Sequence, residues 1–360
     1  MTMRIDFYIS SLSGGGAEKV LISLASAFAA MGNDVSIVSL EKRPQFYQVP
    51  FGITVIKFDN NKCRFGFIKD FFDLRRYMRS RKADLAISFL SRCNLLVLAA
   101  GLFNRQRIVV CDRNNPLEEH SRVTFAISSL LYGRANQVVV QTQQIKRFYP
   151  KFLQKKISVI ENPLDTQALD AQADHTPERE KVVLSVGRLE SQKDFVTLIN
   201  AMCAVHRDYP DWKLHIFGKG DMHDALQQHI DDLGMTDSIL LCGRTSKPYY
   251  EMCRSSVFVL SSHYEGFPNV LCEAMYAGAL CISSDCVSGP RELIVSGHNG
   301  WLFPVGDEQQ LVSELRHCMA SIESGDELET VRIAAQDTVK RLYMSENIKH
   351  WECLVKRVKR

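Results

Sequence analysis

Short runs of apolar, often β-branched residues alternate along the chain with amphipathic segments. This alternation predicts parallel strands covered by helices, and the expected fold class is therefore α/β. A first series of seven strands is expected at Arg4–Ile9, Asp34–Leu40, Thr54–Phe58, Asp84–Phe89, Arg107–Cys111, Gln137–Gln141 and Ile157–Ile160. A second series of six is expected at Lys181–Gly187, Lys213–Phe217, Ser238–Leu241, Val257–Leu260, Leu280–Ser283 and Trp301–Phe303.

The two series of strands predict two domains, and 360 residues with 46% apolar content can fill two cores. We expect a first domain over residues 1–161, a polar linker without periodicity over 162–180, and a second domain over 181–340. Residues 341–360 are expected to form a basic helix that crosses back to the first domain. Two similar α/β domains joined by one linker leave a cleft, and such domains bind ligands at the carboxyl ends of their parallel strands.

The formal net charge of +3 excludes a strongly basic nucleic-acid-binding protein. That total conceals a division of charge along the chain. Residues 1–160 contain 24 basic and 11 acidic side chains, whereas residues 161–360 contain 20 basic and 30 acidic side chains. The two domains are therefore expected to meet different partners.

The N-terminal segment lacks the apolar core and cleavage site of a secretory signal. The longest apolar stretch, Leu95–Phe103, is shorter than the roughly 20 residues of a membrane-spanning helix. Eleven scattered cysteines without a Cys-x-x-Cys pair are typical of free thiols in a reducing compartment. These features predict a cytoplasmic protein.

Three glycines, Gly14, Gly15 and Gly16, follow the first expected strand and precede a helix. Glycines at such a position let backbone N–H groups approach an anion, and the helix dipole favours negative charge there. The pattern is not Gly-x-Gly-x-x-Gly, which argues against a nicotinamide cofactor. A tight turn without a ligand remains the alternative.

The second domain has a cluster of candidate residues at its expected strand ends. Arg188 and Lys193 follow its first strand, where two cations can hold a diphosphate and stabilise it as a leaving group. Two further glycine turns, Phe217–Met222 and Leu241–Arg244, are expected at the same edge. Surface solvation is the alternative for either cation alone.

The segment His263–Gly278 places two carboxylates around a turn and a helix start. Glu265 precedes a Gly-Phe-Pro turn, and Glu273 follows eight positions later on a helix expected to begin near Asn269. Free N–H groups at Asn269 and Val270 suit a phosphate, whereas Glu273 can reach a ribose hydroxyl.

Several of these motifs together resemble one enzyme family. The motifs are GGGAE, VGRLESQKD, the two glutamates of the GFPN block, GPREL and NGWLFPVGD. The chain is similar over essentially its whole length to the retaining glycosyltransferases of family 4, which have the GT-B fold of two facing Rossmann-like domains. The resemblance implies a nucleotide sugar as co-substrate.

The resemblance also implies roles for individual residues. Arg188 and Lys193 would bind the diphosphate and Glu265 the transferred sugar, which makes these three the expected catalytic residues. The remaining expected substrate-binding residues are Gly15, Gly16, Phe267, Pro268, Asn269 and Val270, with Glu273 at the ribose and Arg244 near the base. No Asp-x-Asp motif occurs, and we expect neither a metal nor another cofactor.

One position departs from the family pattern. Many members have a histidine after the fifth strand of the first domain, where this chain has Arg113, and His120 lies seven residues further on. The expected contact with the sugar is in doubt at this position. An arginine there can instead bind an acceptor phosphate.

A basic segment of the first domain suggests the acceptor. Residues 62–82 contain eight basic and two acidic side chains, in a pattern that predicts a helix. Cations and apolar side chains interleave along one side of it, at Arg64, Ile68, Phe72, Arg75, Arg79 and Lys82. Such a row suits an anionic membrane surface and a polyprenyl diphosphate, whereas an ordinary solvated basic face is the alternative.

These features lead to one expected function and two alternatives. The expected enzyme transfers N-acetylgalactosamine, or another hexose, from a UDP-sugar to an undecaprenyl-diphosphate-linked glycan of O-antigen, capsule or glycoprotein, on the inner face of the cytoplasmic membrane. The alternatives are a UDP-sugar 2-epimerase and a noncatalytic nucleotide-sugar-binding protein. The products formed from UDP-sugars distinguish the three.

Overall fold

The computed structural model describes residues 2–58, 66–102, 104, 106–119, 121–173, 177–325 and 328–359. Its internal contacts divide the chain into two compact units, Met1–Pro163 with Met344–Arg360, and Leu164–Tyr343. Residues 164–173 and 177–180, which fall in the expected linker, are part of the second unit. Residues 344–359 are part of the first unit.

Up to Pro163, the described residues of the first unit form seven strands and seven helices. The strands are β1 Arg4–Ile9, β2 Asp34–Ser39, β3 Thr54–Lys57, β4 Leu85–Phe89, β5 Arg107–Cys111, β6 Gln137–Val140 and β7 Ile157–Val159. The helices are α1 Gly16–Ala30, α2 Gly66–Arg81, α3 Ser91–Ala100, α4 Pro116–Glu119, α5 Arg122–Tyr132, α6 Gln143–Phe148 and α7 Lys151–Gln154.

The second unit contains six strands and eight α-helices in the part of the chain that is described. The strands are β8 Glu180–Val186, β9 Lys213–Phe217, β10 Ile239–Gly243, β11 Ser255–Leu260, β12 Leu280–Ser284 and β13 Trp301–Phe303. The helices are α8 Thr166–Asp170, α9 Phe195–His206, α10 His223–Asp232, α11 Pro248–Arg254, α12 Asn269–Tyr276, α13 Pro290–Leu293, α14 Glu308–Glu323 and α15 Glu329–Val339. Short 3₁₀ turns lie at Ser191–Lys193 and Lys340–Leu342, and α16, Met344–Lys359, returns to the first unit.

The sheet of the first unit is parallel, with the strand order β3-β2-β1-β4-β5-β6-β7. Successive side chains of β1 point to opposite faces of this sheet, and both faces are buried. Phe7 and Ile9 pack in the apolar cluster on one face, and Tyr8 packs in the cluster on the other. Helices α1 and α16 cover the first face, where Trp351 of α16 is fully buried. Helices α2, α3 and α5 lie on the opposite face.

The sheet of the second unit is also parallel, with the strand order β10-β9-β8-β11-β12-β13. Residues of α9, α10 and α14 pack on one face, and residues of α8, α11, α12 and α15 pack on the other. The described residues thus contain every strand that the hydrophobic pattern predicts, with bounds within two residues of those expected.

Both sheets reverse their strand order at one point, between β1 and β4 in the first unit and between β8 and β11 in the second. The loops on the two sides of such a point lead away in opposite directions and leave a crevice at the carboxyl ends of the strands. The loops after β1, β4, β8 and β11 are therefore where a ligand site is expected in each unit.

Candidate active site

A buried ion pair lies at the point of strand reversal in the second unit. Lys193, in the loop after β8, places Nζ 2.6 Å from Oε1 of Glu265, in the loop after β11. The two side chains are only 14% and 9% exposed. A charge-assisted hydrogen bond with so little solvent holds both groups in fixed positions. Two residues predicted to be catalytic from the sequence are thus in direct contact.

Neighbouring polar groups fix this pair from both sides. Ser262 Oγ donates a 2.7 Å hydrogen bond to the same Glu265 oxygen, and Ser261 Oγ donates to the Lys193 carbonyl. Gln192 Nε2 donates to the Tyr264 carbonyl and so joins the two loops again. These residues are not among those predicted from the sequence, although two consecutive serines directly after a buried strand are a signal for a polar strand end.

Three glycine turns meet beside the ion pair, as their sequence positions predict. The Gly187 amide donates to the Phe217 carbonyl, and the Gly218 amide donates to the Gly243 carbonyl. A Cβ at Gly218 would lie 1.8 Å from the Gly187 carbonyl oxygen, and one at Gly187 would lie 3.1 Å from the Lys193 side chain. The turns can pack this closely only because these positions are glycine.

The two arginines predicted at this edge are accessible to solvent. Arg188 follows Gly187 directly, its side chain is 67% exposed, and it pairs with Glu190 at 2.9 Å. Arg244 is exposed at the end of β10. An exposed surface ion pair contributes little to stability. The guanidinium of Arg188 can therefore leave Glu190 and bind a ligand phosphate with little loss of stabilising free energy.

The Gly-Phe-Pro turn packs against the loop after β12. Ser288 Oγ donates to the Gly266 carbonyl, and the Glu265 amide donates to the Val287 carbonyl. Gly289 has φ of +111°, and a Cβ there would lie 2.4 Å from Pro268 Cδ. The Ser-Gly-Pro motif thus supports the turn that carries Glu265.

Helix α12 begins at Asn269, as expected. The Asn269 amide donates to the Phe267 carbonyl, so that amide is already engaged. Phe267 and Pro268, which form the turn before this helix, are buried, and Asn269 and Val270 are half-buried. Glu273 is 6% exposed on the same helix.

Cys286 is a buried thiol near Glu265. Burial and the negative charge of Glu265 raise the pKa of Cys286 to about 12, so the thiol stays protonated at neutral pH. Within the described residues, no group of three or more His, Cys, Asp or Glu side chains is arranged to hold a metal ion.

In the first unit, Gly15 caps α1 and Gly16 is its first residue. Gly14 has φ of +106° and lies against the Phe46 ring. A Cβ at Gly15 would lie 2.6 Å from a carboxylate oxygen of Glu18, which therefore lies over the start of the helix. An incoming phosphate would have to displace this carboxylate to reach the backbone.

Arg113 points into the core of the first unit. It is 7% exposed, and its guanidinium carbon lies 4.4 Å from the Phe89 ring centre and 5.9 Å from that of Trp351. Nη1 donates to Asn162 Oδ1, whereas Nε and Nη2 have no hydrogen-bond partner among the described residues. Burial lowers the pKa of Arg113.

The residues of the predicted basic face divide between two environments. Ile68 and Phe72 are exposed on α2, and Arg79 and Lys82 are exposed near its end. Arg75 instead donates to the Ala100 and Leu102 carbonyls at the end of α3, so it has a structural role. Arg64 and His120 lie outside the described residues, and no described helix is long and apolar enough to span a bilayer.

Comparison with known proteins identifies both halves of the chain. The profile described as Glycosyltransferase Family 4 matches residues 14–168, and the profile described as Glycosyl transferases group 1 matches residues 167–330. The chain is also 28% identical over 321 residues to GalNAc-alpha-(1->4)-GalNAc-alpha-(1->3)-diNAcBac-PP-undecaprenol alpha-1,4-N-acetyl-D-galactosaminyltransferase of Campylobacter jejuni, covering 87% of this chain and 88% of that protein.

Two solved structures have the same fold. The lipopolysaccharide outer core galactosyltransferase WaaB superposes with a TM-score of 0.77 at 23% identity, over 98% of this chain and 99% of the other. HepE of Anabaena, in complex with UDP and glucose, superposes with a TM-score of 0.80 at 20% identity and the same coverage. The two Rossmann-like units are thus those of a GT-B protein.

Proposed function

This chain belongs to the glycosyltransferases of the family 4 type, and we propose that it transfers N-acetylgalactosamine, or otherwise another hexose, from a UDP-sugar to a glycan carried on undecaprenyl diphosphate. We propose that transfer proceeds with retention of the anomeric configuration. The single observation that carries the proposal is the buried pair of Lys193 and Glu265 where the strand order of the second unit reverses.

The chemistry of sugar transfer explains why these two charges are paired. As the anomeric bond lengthens, the sugar gains positive charge and the departing diphosphate gains negative charge. Lys193, with Arg188, stabilises the leaving diphosphate, and the adjacent carboxylate of Glu265 orients the sugar and stabilises its positive charge. Since both groups are held by hydrogen bonds before the donor binds, little reorganisation accompanies the reaction.

We further propose that the charges of the protein suffice for this step without a metal. Two cations in the loop after β8 and the Val270 amide at the start of α12 lie at one edge of the sheet, and the sequence has no Asp-x-Asp motif. Transfer is then expected to continue in the presence of EDTA.

On the acceptor side, the proposal rests on charge and on the relatives. Residues 1–160 have an excess of thirteen basic side chains, and Ile68, Phe72, Arg79 and Lys82 are exposed together along α2. The Campylobacter relative is named for a glycan on undecaprenol diphosphate. We propose that α2 meets anionic lipid and that the enzyme is peripheral on the inner face of the cytoplasmic membrane, in O-antigen, capsule or glycoprotein glycan assembly.

The direct test is a donor screen. The protein is incubated with a panel of UDP- and GDP-sugars and a synthetic prenyl-diphosphate-linked sugar, with and without EDTA, and products are identified by mass spectrometry. We expect one new α-linked hexosamine from UDP-N-acetylgalactosamine, with its anomeric configuration read by NMR. An epimerised UDP-sugar, or binding of UDP-sugar without a new glycosidic bond, would reject the proposal.

A further inference from the structure

Helix α5 of the first unit has an apolar face turned to solvent. Val123, Ile127 and Leu130, spaced by four and three residues, are 70%, 55% and 69% exposed and form one row along the helix. The opposite face buries Ser128 and Ser129, whose hydroxyls have no hydrogen-bond partner among the described residues. Packing in water alone favours the reverse arrangement, with hydroxyls outside and aliphatic side chains inside.

The row continues beyond the end of the helix. Phe152 of α7 is 56% exposed, and its ring lies 3.7 Å from where a Cβ at Gly133 would be. Gly133 directly follows α5. We call Val123, Ile127, Leu130 and Phe152 the apolar ridge.

The chain segment that contains the apolar ridge carries only cations, although the exposed Glu118 and Glu119 of the neighbouring helix α4 precede it. Residues 121–160 contain seven Lys and Arg and no Asp or Glu. Five of the seven are exposed, namely Arg122, Arg134, Arg147, Lys151 and Lys155. Two copies of such a surface would repel each other, whereas a layer of anionic headgroups above acyl chains complements both the charge and the apolar row.

We propose that α5 docks on an anionic lipid bilayer, with the apolar ridge inserted among the acyl chains and the flanking cations bound to lipid phosphates. The helix begins near the carboxyl end of β5, so the apolar ridge starts at the edge of the sheet where substrates bind. Helices α2 and α5 both pack against α3 and lie on one side of the sheet. The proposal adds a second membrane contact to that of α2, and it rests on α5 alone.

The test is the double variant Ile127→Glu with Leu130→Glu, measured by sedimentation with vesicles of phosphatidylethanolamine and phosphatidylglycerol at 7:3. The matched control, Val295→Glu with Ile333→Glu, places the same two charges on exposed aliphatic positions of the second unit. We expect the α5 variant to bind these vesicles at least roughly tenfold more weakly, because two aliphatic contacts with the acyl chains are lost. The control should bind like the wild type. Both variants should unfold at the wild-type temperature.

A second measurement reads insertion directly. In a Leu130→Trp variant, lipids brominated on the acyl chains should quench tryptophan fluorescence beyond the level seen for the wild-type protein. Unchanged vesicle binding by the α5 variant, or no additional quenching, would overturn the proposal. So would a lipid-free self-association, seen by sedimentation velocity, that the α5 variant abolishes.

Transfer to a water-soluble, short-chain prenyl-diphosphate sugar separates this proposal from the proposed function. We expect the α5 variant to keep this activity and to lose activity only on acceptor embedded in vesicles. If wild-type protein transfers no sugar to either acceptor yet binds vesicles through α5, the proposed function fails and the docking proposal stands.

Discussion

The carboxyl edges of the two sheets hold their charged residues in different ways. In the second unit, Lys193 and Glu265 are paired at 2.6 Å and supported by Ser262. In the first unit, Glu18 lies over the helix start after β1, and Arg113 turns into the core between two aromatic rings. The second unit holds a buried ion pair at its sheet edge, whereas the first exposes cations on α2 and in the segments that flank α5.

This difference is the one that the proposed donor and the proposed acceptor would require. A nucleotide sugar is small and must be held at defined atoms while charge develops, which requires fixed and partly buried groups. A lipid-linked glycan presents a headgroup and a surface, for which exposed cations and apolar side chains are suited. Variants that act on one unit and not on the other test the comparison.

The largest effect is expected at Lys193. In Lys193→Ala we expect turnover to fall by roughly 10²-fold or more, because a preorganised cation at the leaving diphosphate is lost. Steady-state kinetics with a soluble acceptor measures this, and sedimentation should show vesicle binding unchanged. Lys181→Ala is the matched control, since Lys181 forms an exposed ion pair with Glu323 in the same unit. Near-normal turnover in Lys193→Ala would falsify the assignment of this residue to the leaving group.

The next effect is on the stability of the second unit. Gly218→Ala would place a methyl group 1.8 Å from a backbone oxygen, whereas Gly187→Ala would meet only the flexible Lys193 side chain at 3.1 Å. We expect Gly218→Ala to lower the free energy of unfolding by about 3 kcal/mol and Gly187→Ala by clearly less. Urea unfolding measures both. Equal losses would show that the turns can separate and are not a rigid frame for Lys193.

Sequence reasoning predicts the second unit better than the first for a physical reason. Strand periodicity is local, and it places Arg188, Lys193 and Glu265 at strand ends whose positions the parallel topology then fixes. The hydrogen bond from Ser262 to Glu265 depends on side-chain geometry in a loop, and the hydrophobic periodicity carries no information about that geometry. The inward direction of Arg113 depends on Trp351, 238 positions later in the chain, and no local pattern carries such a contact.

The same limit applies to α2. The helical pattern groups Phe72, which is exposed, with the cations, and Leu74 and Met78, which lie off that side of the helix, are buried. It groups Arg75 with the other cations, although the guanidinium of Arg75 donates to two carbonyls at the end of α3. Unsatisfied carbonyls at a helix end attract a donor, but which donor reaches them depends on how the two helices pack.

A smaller effect is expected for the cations of α2. In the double variant Arg79→Gln with Lys82→Gln, we expect vesicle binding to weaken by roughly tenfold to thirtyfold, at about 1 kcal/mol for each cation near an anionic surface. Turnover on a soluble acceptor should not change. The effect should shrink as salt is raised, because the cations are exposed. If this variant binds vesicles at low salt as tightly as the wild type does, α2 does not contact the membrane and the proposed contact is limited to α5.

The smallest effect on stability is expected at Arg113. A buried guanidinium with two unpartnered nitrogens costs desolvation, and Arg113→Met keeps an unbranched side chain between Phe89 and Trp351. The hydrogen bond to Asn162 is lost, and we therefore expect a net change within about 1 kcal/mol, by urea unfolding, and a similar KM for the lipid-linked acceptor.

The same variant decides whether Arg113 belongs to the acceptor site, as its sequence position suggests, or to the core. Arg92→Met removes an exposed cation of the same unit, 56% accessible and paired with Glu41, and controls for the loss of charge alone. If Arg113→Met raises the acceptor KM tenfold while the control and the unfolding midpoint stay unchanged, its guanidinium must leave the aromatic contacts and bind substrate. An unchanged KM would instead assign Arg113 to the core of the first unit and leave the exposed side chains of that unit as the acceptor contacts that we propose.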